Sequence, residues 1–204
     1  MSSGRRIVLA SGNAGKIAEL EALLAPWVDT VIPQSFFFVP EAAETGTTFI
    51  ENAIIKARNA AEHTGLPAIA DDSGLAIPAL DGAPGVRSAR WAGDEADDAA
   101  NNAQLRDALI DLNAHERSAH YRCVVVFMRH AADPAPLIAE GVWAGELVDN
   151  PAGANGFGYD PHFYLPAHQC TAAQLEASVK NAISHRGQAL SLLRAQLEQE
   201  WRAH

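Results

Sequence analysis

Two adjacent carboxylates, Asp71 and Asp72, follow a short apolar run at residues 68–70 and precede Ser73 and Gly74. The apolar run is typical of a buried strand, and we expect this strand to end at the two charges, where the chain turns. Because an unpaired buried carboxylate is costly, the pair needs a cation or hydrogen bonds. Mg²⁺ usually takes one or two protein carboxylates together with substrate phosphates, so a magnesium site is one explanation. The other is that the two acidic residues only cap a turn.

A turn that could hold phosphate lies near the start of the chain, in the sequence Ser11-Gly12-Asn13-Ala14-Gly15-Lys16. Residues 5–10 before it predict a buried strand, and apolar residues recur after it at helical spacing. Such a segment favours an anion because free backbone N–H groups and the helix dipole both attract negative charge. It is not a Walker A loop, because Ala10 and Ile17 stand where that motif needs glycine and Ser or Thr. A plain strand–helix turn is the alternative.

A helix is predicted between this turn and the two aspartates. Thr48 and Glu51 fit a capping box, so the helix should start there and run to about Gly65. Its polar residues form a stripe along one side: Asn52, Lys56, Asn59 and His63. A solvated face is the default explanation for such a stripe. Because Glu44 precedes the helix and the aspartates follow it, Lys56 could instead face the same cleft as these carboxylates.

The remaining segments show both strand and helix patterns. We predict further strands or extended segments at residues 28–32, 88–91, 119–129 and 136–143, the last two as an antiparallel pair. Two more helices are predicted at residues 99–112 and 188–201.

A second candidate binding segment places aromatic residues beside glycine, in the sequence Phe157-Gly158-Tyr159-Asp160. Glycine lets the backbone approach a flat ligand on which a ring can stack; a tight turn with core aromatics is the alternative. Lys180 and the pair His185-Arg186 precede the last helix. This pair could contact a base edge or a phosphate, or could form only a surface turn at the helix start.

Composition limits the possible functions. The chain has 204 residues and a net charge of -10, which argues against sequence-independent nucleic-acid binding but allows an anionic small molecule as substrate. Cys123 and Cys170 lie outside any CxxC pattern and are expected to be reduced thiols. Neither a long apolar signal segment after Met1 nor a membrane-spanning run is present. We expect a soluble, cytoplasmic protein of one domain over residues 1–204.

In combination, these segments resemble the inosine/xanthosine triphosphate pyrophosphatase family. The matching blocks occur in order over essentially the whole chain: SGNAGK, ETGTTFIENAIIKA, AIADDSGLAI, GAPGVRSARWAG, GFGYDPHF and SHRGQAL. The resemblance implies an α/β fold, with an elongated mixed β-sheet and helices forming two lobes around a central substrate cleft. It also implies a homodimer, and we expect neither nucleic acid nor a membrane as a partner.

The resemblance assigns a role to each candidate residue. Glu44 and Asp72 would bind Mg²⁺, and Asp72 would also be the catalytic base. The triphosphate would be held by Ser11, Gly12, Asn13, Ala14, Gly15 and Lys16, with Lys56 as a further phosphate contact. Ser73 would touch the substrate. The base pocket would be lined by Phe157, Gly158, Tyr159 and Asp160, with Phe157 stacking on the base, and completed by Lys180, His185 and Arg186, which recognise a 6-oxo purine.

The implied reaction is attack of water on the α-phosphorus of inosine, deoxyinosine or xanthosine triphosphate, which releases the nucleoside monophosphate and pyrophosphate. Two other functions compete with this one. A related pyrophosphatase could prefer a modified or pyrimidine nucleotide, although Phe157 and the pair His185-Arg186 match the purine version. A non-catalytic nucleotide sensor would bind without turnover, which agrees poorly with the presence of both Glu44 and Asp72.

Overall fold

The computed structural model describes the backbone of residues 6–203 and the side chains of residues 6–200. The helices are α1 (Ala14–Leu24), α2 (Phe49–Thr64), α3 (Asp98–Ile110), α4 (Ala177–Ile183) and α5 (His185–Ala203). The strands are β1 (Arg6–Leu9), β2 (Thr30–Pro33), β3 (Ala68–Ala76), β4 (Ser118–Met128), β5 (Leu137–Leu147), β6 (Phe163–Leu165) and β7 (Cys170–Thr171). No helix in this part of the chain is long and apolar enough to cross a membrane.

The strands form one seven-stranded sheet in the order β2-β1-β3-β4-β5-β6-β7. Strand β1 pairs in parallel with both β2 and β3, whereas β6 pairs antiparallel with both β5 and β7. The sheet is therefore mixed, and the predicted mixed α/β fold is confirmed.

The chain divides into two compact units. Unit 1 contains the residues up to Asp72, Cys123–Gly141 and the residues from Arg186 onward, and unit 2 contains Ser73–Arg122 and Val142–His185. The core of unit 1 includes apolar side chains from β1, α1 and α5 in one cluster, and the alanines of α2 in another. The core of unit 2 is rich in aromatic side chains, among them Tyr121, Trp143 and Phe163. The single domain with a central cleft stays a prediction.

The capping box of α2 is confirmed. The Thr48 hydroxyl accepts a hydrogen bond from the Glu51 N–H (3.3 Å), and the Glu51 carboxylate accepts one from the Thr48 N–H (3.0 Å). The helix ends at Gly65, whose φ of 65° is the left-handed conformation that glycine adopts easily. Both ends of α2 thus follow from local sequence.

Two predicted features are wrong. The strand that carries the aspartates does not end there, because β3 continues through Asp71, Asp72 and Ser73 as far as Ala76. Turn-forming residues stay extended because this strand lies inside the sheet, with β1 on one side and β4 on the other. The segment at residues 88–91, expected to be extended, instead belongs mainly to the 3₁₀-helix Gly85–Arg90.

Other predicted elements agree with the structure to within a few residues. Strand β1 matches the run at residues 5–10, of which Arg5 lies outside the described residues. Strands β2, β4 and β5 and helix α3 also form where they were expected. Helix α5 begins at His185, three residues before its predicted start, so the His185-Arg186 pair forms its first turn. Helix α4 and the short strands β6 and β7 were not predicted.

Candidate active site

In unit 1, Asp72 lies at the centre of a polar cluster built from β3 and α2. The Lys56 ammonium is 2.8 Å from Asp72 Oδ1 and 3.5 Å from Glu44 Oε1, so one lysine joins the two carboxylates. Asn52, one helical turn before Lys56, donates to Asp72 Oδ2 (3.4 Å) and accepts from the Gly46 N–H (2.8 Å). This part of the polar stripe of α2 therefore faces the carboxylates and not the solvent.

Burial and charge shift the proton affinities of this pair. Burial raises the pKa of Asp72 above its ordinary value, although the positive charges of Lys56 and Lys16 oppose the shift. Burial alone would lower the pKa of Lys56, but the carboxylates of Asp72, Asp71 and Glu44 outweigh it and raise that pKa. Lys56 is therefore a fixed cation, and Asp72 is a stronger base than an exposed aspartate.

Asp71 belongs to a different set of contacts, since successive side chains of a strand project to opposite faces. Arg186 Nη2 is 3.0 Å from Asp71 Oδ2, Lys16 Nζ is 3.5 Å from the same oxygen, and the Cys123 thiol is 3.9 Å from it. Arg186 also forms an ion pair with Glu19 of α1. Although burial opposes ionisation, the cations hold the pKa of Asp71 far below its usual range. Asp71 is thus a permanent anion within this group.

The turn before α1 has the features of an anion site. Asn13 is the N-cap and accepts a hydrogen bond from the Lys16 N–H (2.9 Å), and the Ser11 hydroxyl accepts one from the Asn13 N–H (3.3 Å). The first turn of α1 contains no acidic residue to oppose an anion at the helix dipole. A β-carbon at position 12 would lie 2.8 Å from a carboxylate oxygen of the exposed Glu41, so a larger residue there would require only this flexible side chain to move.

The donor atoms of these residues determine whether they could hold Mg²⁺. The described part of the chain has no group of three or more His, Cys, Asp and Glu side chains that could hold a metal alone. Glu44 and Asp72, joined through Lys56, supply two carboxylates. Two carboxylates are what Mg²⁺ usually takes when substrate phosphates complete its coordination. The donor set therefore fits a metal that binds together with a phosphorylated substrate.

In unit 2, a buried ion pair joins α4 to the second glycine-rich segment. Lys180 Nζ is 2.5 Å from Asp160 Oδ2, and the same oxygen accepts a hydrogen bond from the Phe157 N–H (3.0 Å). The Lys180 ammonium also lies over the Phe157 ring, 4.8 Å from its centroid, which is a cation–π distance. Phe157 is half-buried, whereas Asp160 and Lys180 are buried.

Two neighbouring residues hold this segment in place. The Gly158 N–H donates to the Asp98 carboxylate (2.7 Å), and its carbonyl accepts from the Asn102 amide (2.8 Å). Tyr159 is buried, and its hydroxyl donates to the Ser88 carbonyl (2.7 Å). Its side chain therefore belongs to the core of unit 2. Both alternatives raised by the sequence thus apply. Tyr159 is a core aromatic in a tight turn, whereas the ring of Phe157 is partly exposed.

His185 and Arg186, predicted to act as a pair, have different surroundings. The imidazole of His185 stacks on Tyr121 and Trp143 in unit 2, whereas the guanidinium of Arg186 is directed to Asp71 and Glu19 in unit 1. The predicted residues thus form two groups. Unit 1 brings together Lys56, Glu44 and Asp72, and places Lys16 and Arg186 on Asp71; unit 2 brings together Phe157, Asp160 and Lys180. Ser73 is half-buried on β3.

Asn52 and Glu19 belong to these clusters but were not assigned a role from the sequence. Asn52 is 2% exposed, and a buried amide needs hydrogen-bond partners, so its position in a polar stripe next to Lys56 was a usable signal. Glu19 gave no such signal, because its partner Arg186 lies 167 residues away in the chain.

The first turn of α1 contains no acidic residue and follows a turn that contains glycine. Lys56 lies near the carboxylates of Glu44 and Asp72 in the same unit. These features are typical of an α/β protein that binds a phosphorylated anion. Comparison with known proteins narrows this class. The Ham1 family matches residues 7–196, and the chain belongs to this family.

Individual relatives agree with this assignment over nearly the full length. A dITP/XTP pyrophosphatase of Thioalkalivibrio sulfidiphilus is 54% identical over 193 residues, which cover 95% of this chain and 98% of that protein. A dITP/XTP pyrophosphatase of Vibrio cholerae is 53% identical over 96% of this chain and 98% of its own. The solved structure of a HAM1 protein from Coxiella burnetii matches with a TM-score of 0.87 and 55% identity, over 96% of this chain and 99% of that one.

Proposed function

We propose that this protein hydrolyses non-standard purine nucleoside triphosphates, namely inosine (ITP), deoxyinosine (dITP) and xanthosine (XTP) triphosphates, to the monophosphate and pyrophosphate. The observation that carries the proposal is the 54% identity, over 95% of the chain, to a relative named dITP/XTP pyrophosphatase. The carboxylate–lysine cluster of unit 1 supports the hydrolytic step.

The triphosphate is held at the turn of residues 11–16, where backbone N–H groups at the start of α1 and the Lys16 ammonium attract negative charge. Lys56 adds a second fixed cation beside Asp72. These cations stabilise the charge that develops on the leaving pyrophosphate, which is the largest contribution that a site of this type makes. These contacts orient the α-phosphorus of the substrate towards the Asp72 carboxylate.

Asp72 acts as the general base. A water that gives its proton to the Asp72 carboxylate attacks the α-phosphorus, and the bond from that phosphorus to the bridging oxygen breaks as pyrophosphate leaves. Burial raises the pKa of Asp72 in the metal-free protein, and a bound Mg²⁺ would oppose this shift. The assignment of Asp72 as base therefore rests on its position beside Lys56 and Glu44. When Mg²⁺ is bound by Glu44 and Asp72, it neutralises phosphate charge and helps to generate the nucleophile.

The base is recognised by the residues of unit 2. Phe157 stacks on the purine, and Lys180 and His185 hydrogen-bond to the 6-oxo edge. A site built to hydrogen-bond an oxo group rejects a 6-amino group, because buried polar atoms would then be left without partners. Adenosine triphosphate (ATP) is therefore a poor substrate.

The substrate class is tested by measuring pyrophosphate release from inosine, xanthosine, guanosine, adenosine and uridine triphosphates, with and without Mg²⁺. Magnesium-dependent release confined to the inosine and xanthosine compounds is the expected result. Release from uridine triphosphate would favour the pyrimidine-specific alternative and remove the base pocket described here. Binding without release would favour the nucleotide sensor.

Replacement of Lys16 by alanine should weaken triphosphate binding about 10- to 100-fold, because a charge-assisted contact in a partly buried site is lost. Affinity for the nucleoside inosine should stay within about twofold, since Lys16 is assigned to the phosphates. Calorimetric titration with a non-hydrolysable ITP analogue and with inosine measures both. Lys16→Arg, which keeps the charge, is the control. An equal loss for both ligands would contradict a phosphate role.

Replacement of His185 by alanine should reduce the ratio of kcat/KM for ITP to that for ATP about tenfold, because the 6-oxo group loses a hydrogen-bond partner. The rates with both nucleotides give this ratio directly. His63→Ala, at an exposed position of α2, is the matched control. An unchanged ratio in His185→Ala would place base recognition elsewhere in unit 2.

Assembly and location complete the proposal. We propose a homodimer, as the family resemblance implies, and light scattering that gives the 21.7 kDa mass of a single chain would contradict it. We also propose a cytoplasmic location, which agrees with two free cysteines at positions 123 and 170.

A further inference from the structure

Tyr121 of β4 stands at the centre of the aromatic core of unit 2. Its ring lies 4.7 Å from the His185 imidazole, with only 8° between the two planes. Trp143 is nearly parallel to both, at 6.4 Å from Tyr121 and 6.3 Å from His185, and Phe163 packs against the tyrosine at 4.6 Å. Tyr121 is 7% exposed and His185 is 5% exposed. The plane of the imidazole is therefore fixed by a buried aromatic neighbour.

The hydroxyl of Tyr121 has a second set of contacts. It donates a hydrogen bond to the Asp160 carboxylate and accepts one from the Tyr159 N–H. Asp160 is the residue that holds the Lys180 ammonium at 2.5 Å and the Phe157 N–H at 3.0 Å. Burial, and the negative charge of Asp160, raise the pKa of Tyr121 well above its ordinary value. The hydroxyl therefore remains protonated and keeps donating to Asp160.

We propose that Tyr121 is a positioning residue that determines selectivity for the 6-oxo purine. Its ring orients His185, and its hydroxyl orients Asp160 and, through it, Lys180 and Phe157. One side chain thus holds together the residues to which base recognition is assigned. This inference rests on the proposed function and adds to it a residue that does not itself touch the base.

The contrast with Tyr159 separates this role from that of an ordinary core tyrosine. Tyr159 is also buried in the aromatic core of unit 2, but its hydroxyl donates to a backbone carbonyl, that of Ser88. A backbone acceptor satisfies the hydroxyl without linking it to a binding residue. Tyr121 instead donates to a carboxylate that already has a cation partner, so it stabilises the ionised state and the orientation of that pair.

Two substitutions separate the contributions of the ring and the hydroxyl. Tyr121→Phe keeps the stack on His185 and removes only the bond to Asp160, whereas Tyr121→Leu removes both. Tyr164→Phe, which deletes a hydroxyl from a half-buried tyrosine of β6 in the same unit, is the matched control. Steady-state kinetics with ITP and ATP give kcat and KM for each variant, and thermal unfolding shows whether the variant is folded.

In Tyr121→Phe, we expect the ratio of kcat/KM for ITP to that for ATP to fall about tenfold, since a discriminating hydrogen-bond network is loosened. The change should appear mainly as a higher KM for ITP, because the proposed base Asp72 belongs to the other unit. The control should keep the wild-type ratio. The NMR chemical shifts of the His185 imidazole protons should change in Tyr121→Leu, because the ring current of the tyrosine is lost. They should stay nearly unchanged in Tyr121→Phe.

The outcomes are distinguishable. A wild-type enzyme without a preference for ITP over ATP overturns the proposed function, and this inference with it. A wild-type preference that Tyr121→Phe retains overturns this inference alone. A variant that loses activity equally with both nucleotides, with a lowered melting temperature and an unchanged KM, makes Tyr121 a structural residue and also overturns it.

Discussion

Replacement of Asp72 by asparagine should reduce turnover of ITP at least about a thousandfold, because the variant loses the proposed general base and one of the two carboxylates proposed to bind Mg²⁺. The substitution is nearly isosteric, and the asparagine oxygen can still accept from Lys56. In the variant, the Lys56 ammonium still has two negatively charged neighbours, Glu44 and Asp71. The fold should therefore survive, and single-turnover measurements on folded protein should isolate the loss of chemistry.

Asp149→Asn is the matched control for this experiment, because Asp149 forms an ion pair with Arg117 and its side chain is 61% exposed. Its turnover should equal that of the wild type. Circular dichroism and the melting temperature should be similar for all three proteins. Turnover in Asp72→Asn close to that of the wild type would remove Asp72 from the mechanism and leave Glu44 as the remaining carboxylate of its cluster.

Local sequence predicted the features of the fold that depend on local chemistry. Thr48, Glu51 and Gly65 define both ends of α2, because caps act through hydrogen bonds within a few residues. The turn before α1 was predicted for the same reason. The family resemblance then supplied the roles of residues that no local pattern explains, and these roles stay predictions.

Features that depend on distant partners were not predictable from local patterns. Asp71, Asp72 and Ser73 favour a turn, yet they form part of a strand that has neighbours on both sides of the sheet. The two aspartates have different partners because a strand alternates its faces, which becomes visible only when the strand is known to continue. The charged residues were therefore predictable from local sequence, whereas the continued strand that carries them was not.

Arg186 is the clearest case, since its partner Asp71 is 115 residues away. Next to His185 in the sequence, it was assigned to the base pocket. In the structure its guanidinium is 1% exposed and bonded to carboxylates of β3 and α1. A buried arginine with two carboxylate partners mainly holds those carboxylates in place. Its loss should therefore reduce stability, whereas loss of a residue that only contacts the base should reduce selectivity.

Replacement of Arg186 by methionine should lower the free energy of unfolding by about 3–5 kcal/mol, because breaking a buried ion pair leaves an uncompensated charge. Asp71 loses the Arg186 guanidinium, which lies closer to it than the Lys16 ammonium does (3.0 Å against 3.5 Å), and Glu19 loses its ion pair with Arg186. Methionine retains much of the aliphatic volume, so loss of packing contributes little. Urea denaturation followed by circular dichroism measures the change.

Arg194→Met provides a control within the same helix. Arg194 pairs with Glu198 one turn away, and their side chains are 52% and 39% exposed, so that pair should contribute less than about 1 kcal/mol. Arg186→Met should therefore be far less stable than Arg194→Met, although residue type, substitution and helix are the same. Equal stability of the two variants, together with loss of ITP selectivity only in Arg186→Met, would support the original prediction that Arg186 contacts the base. A large loss of stability would instead show that Arg186 mainly holds Asp71 in place, next to the proposed catalytic Asp72.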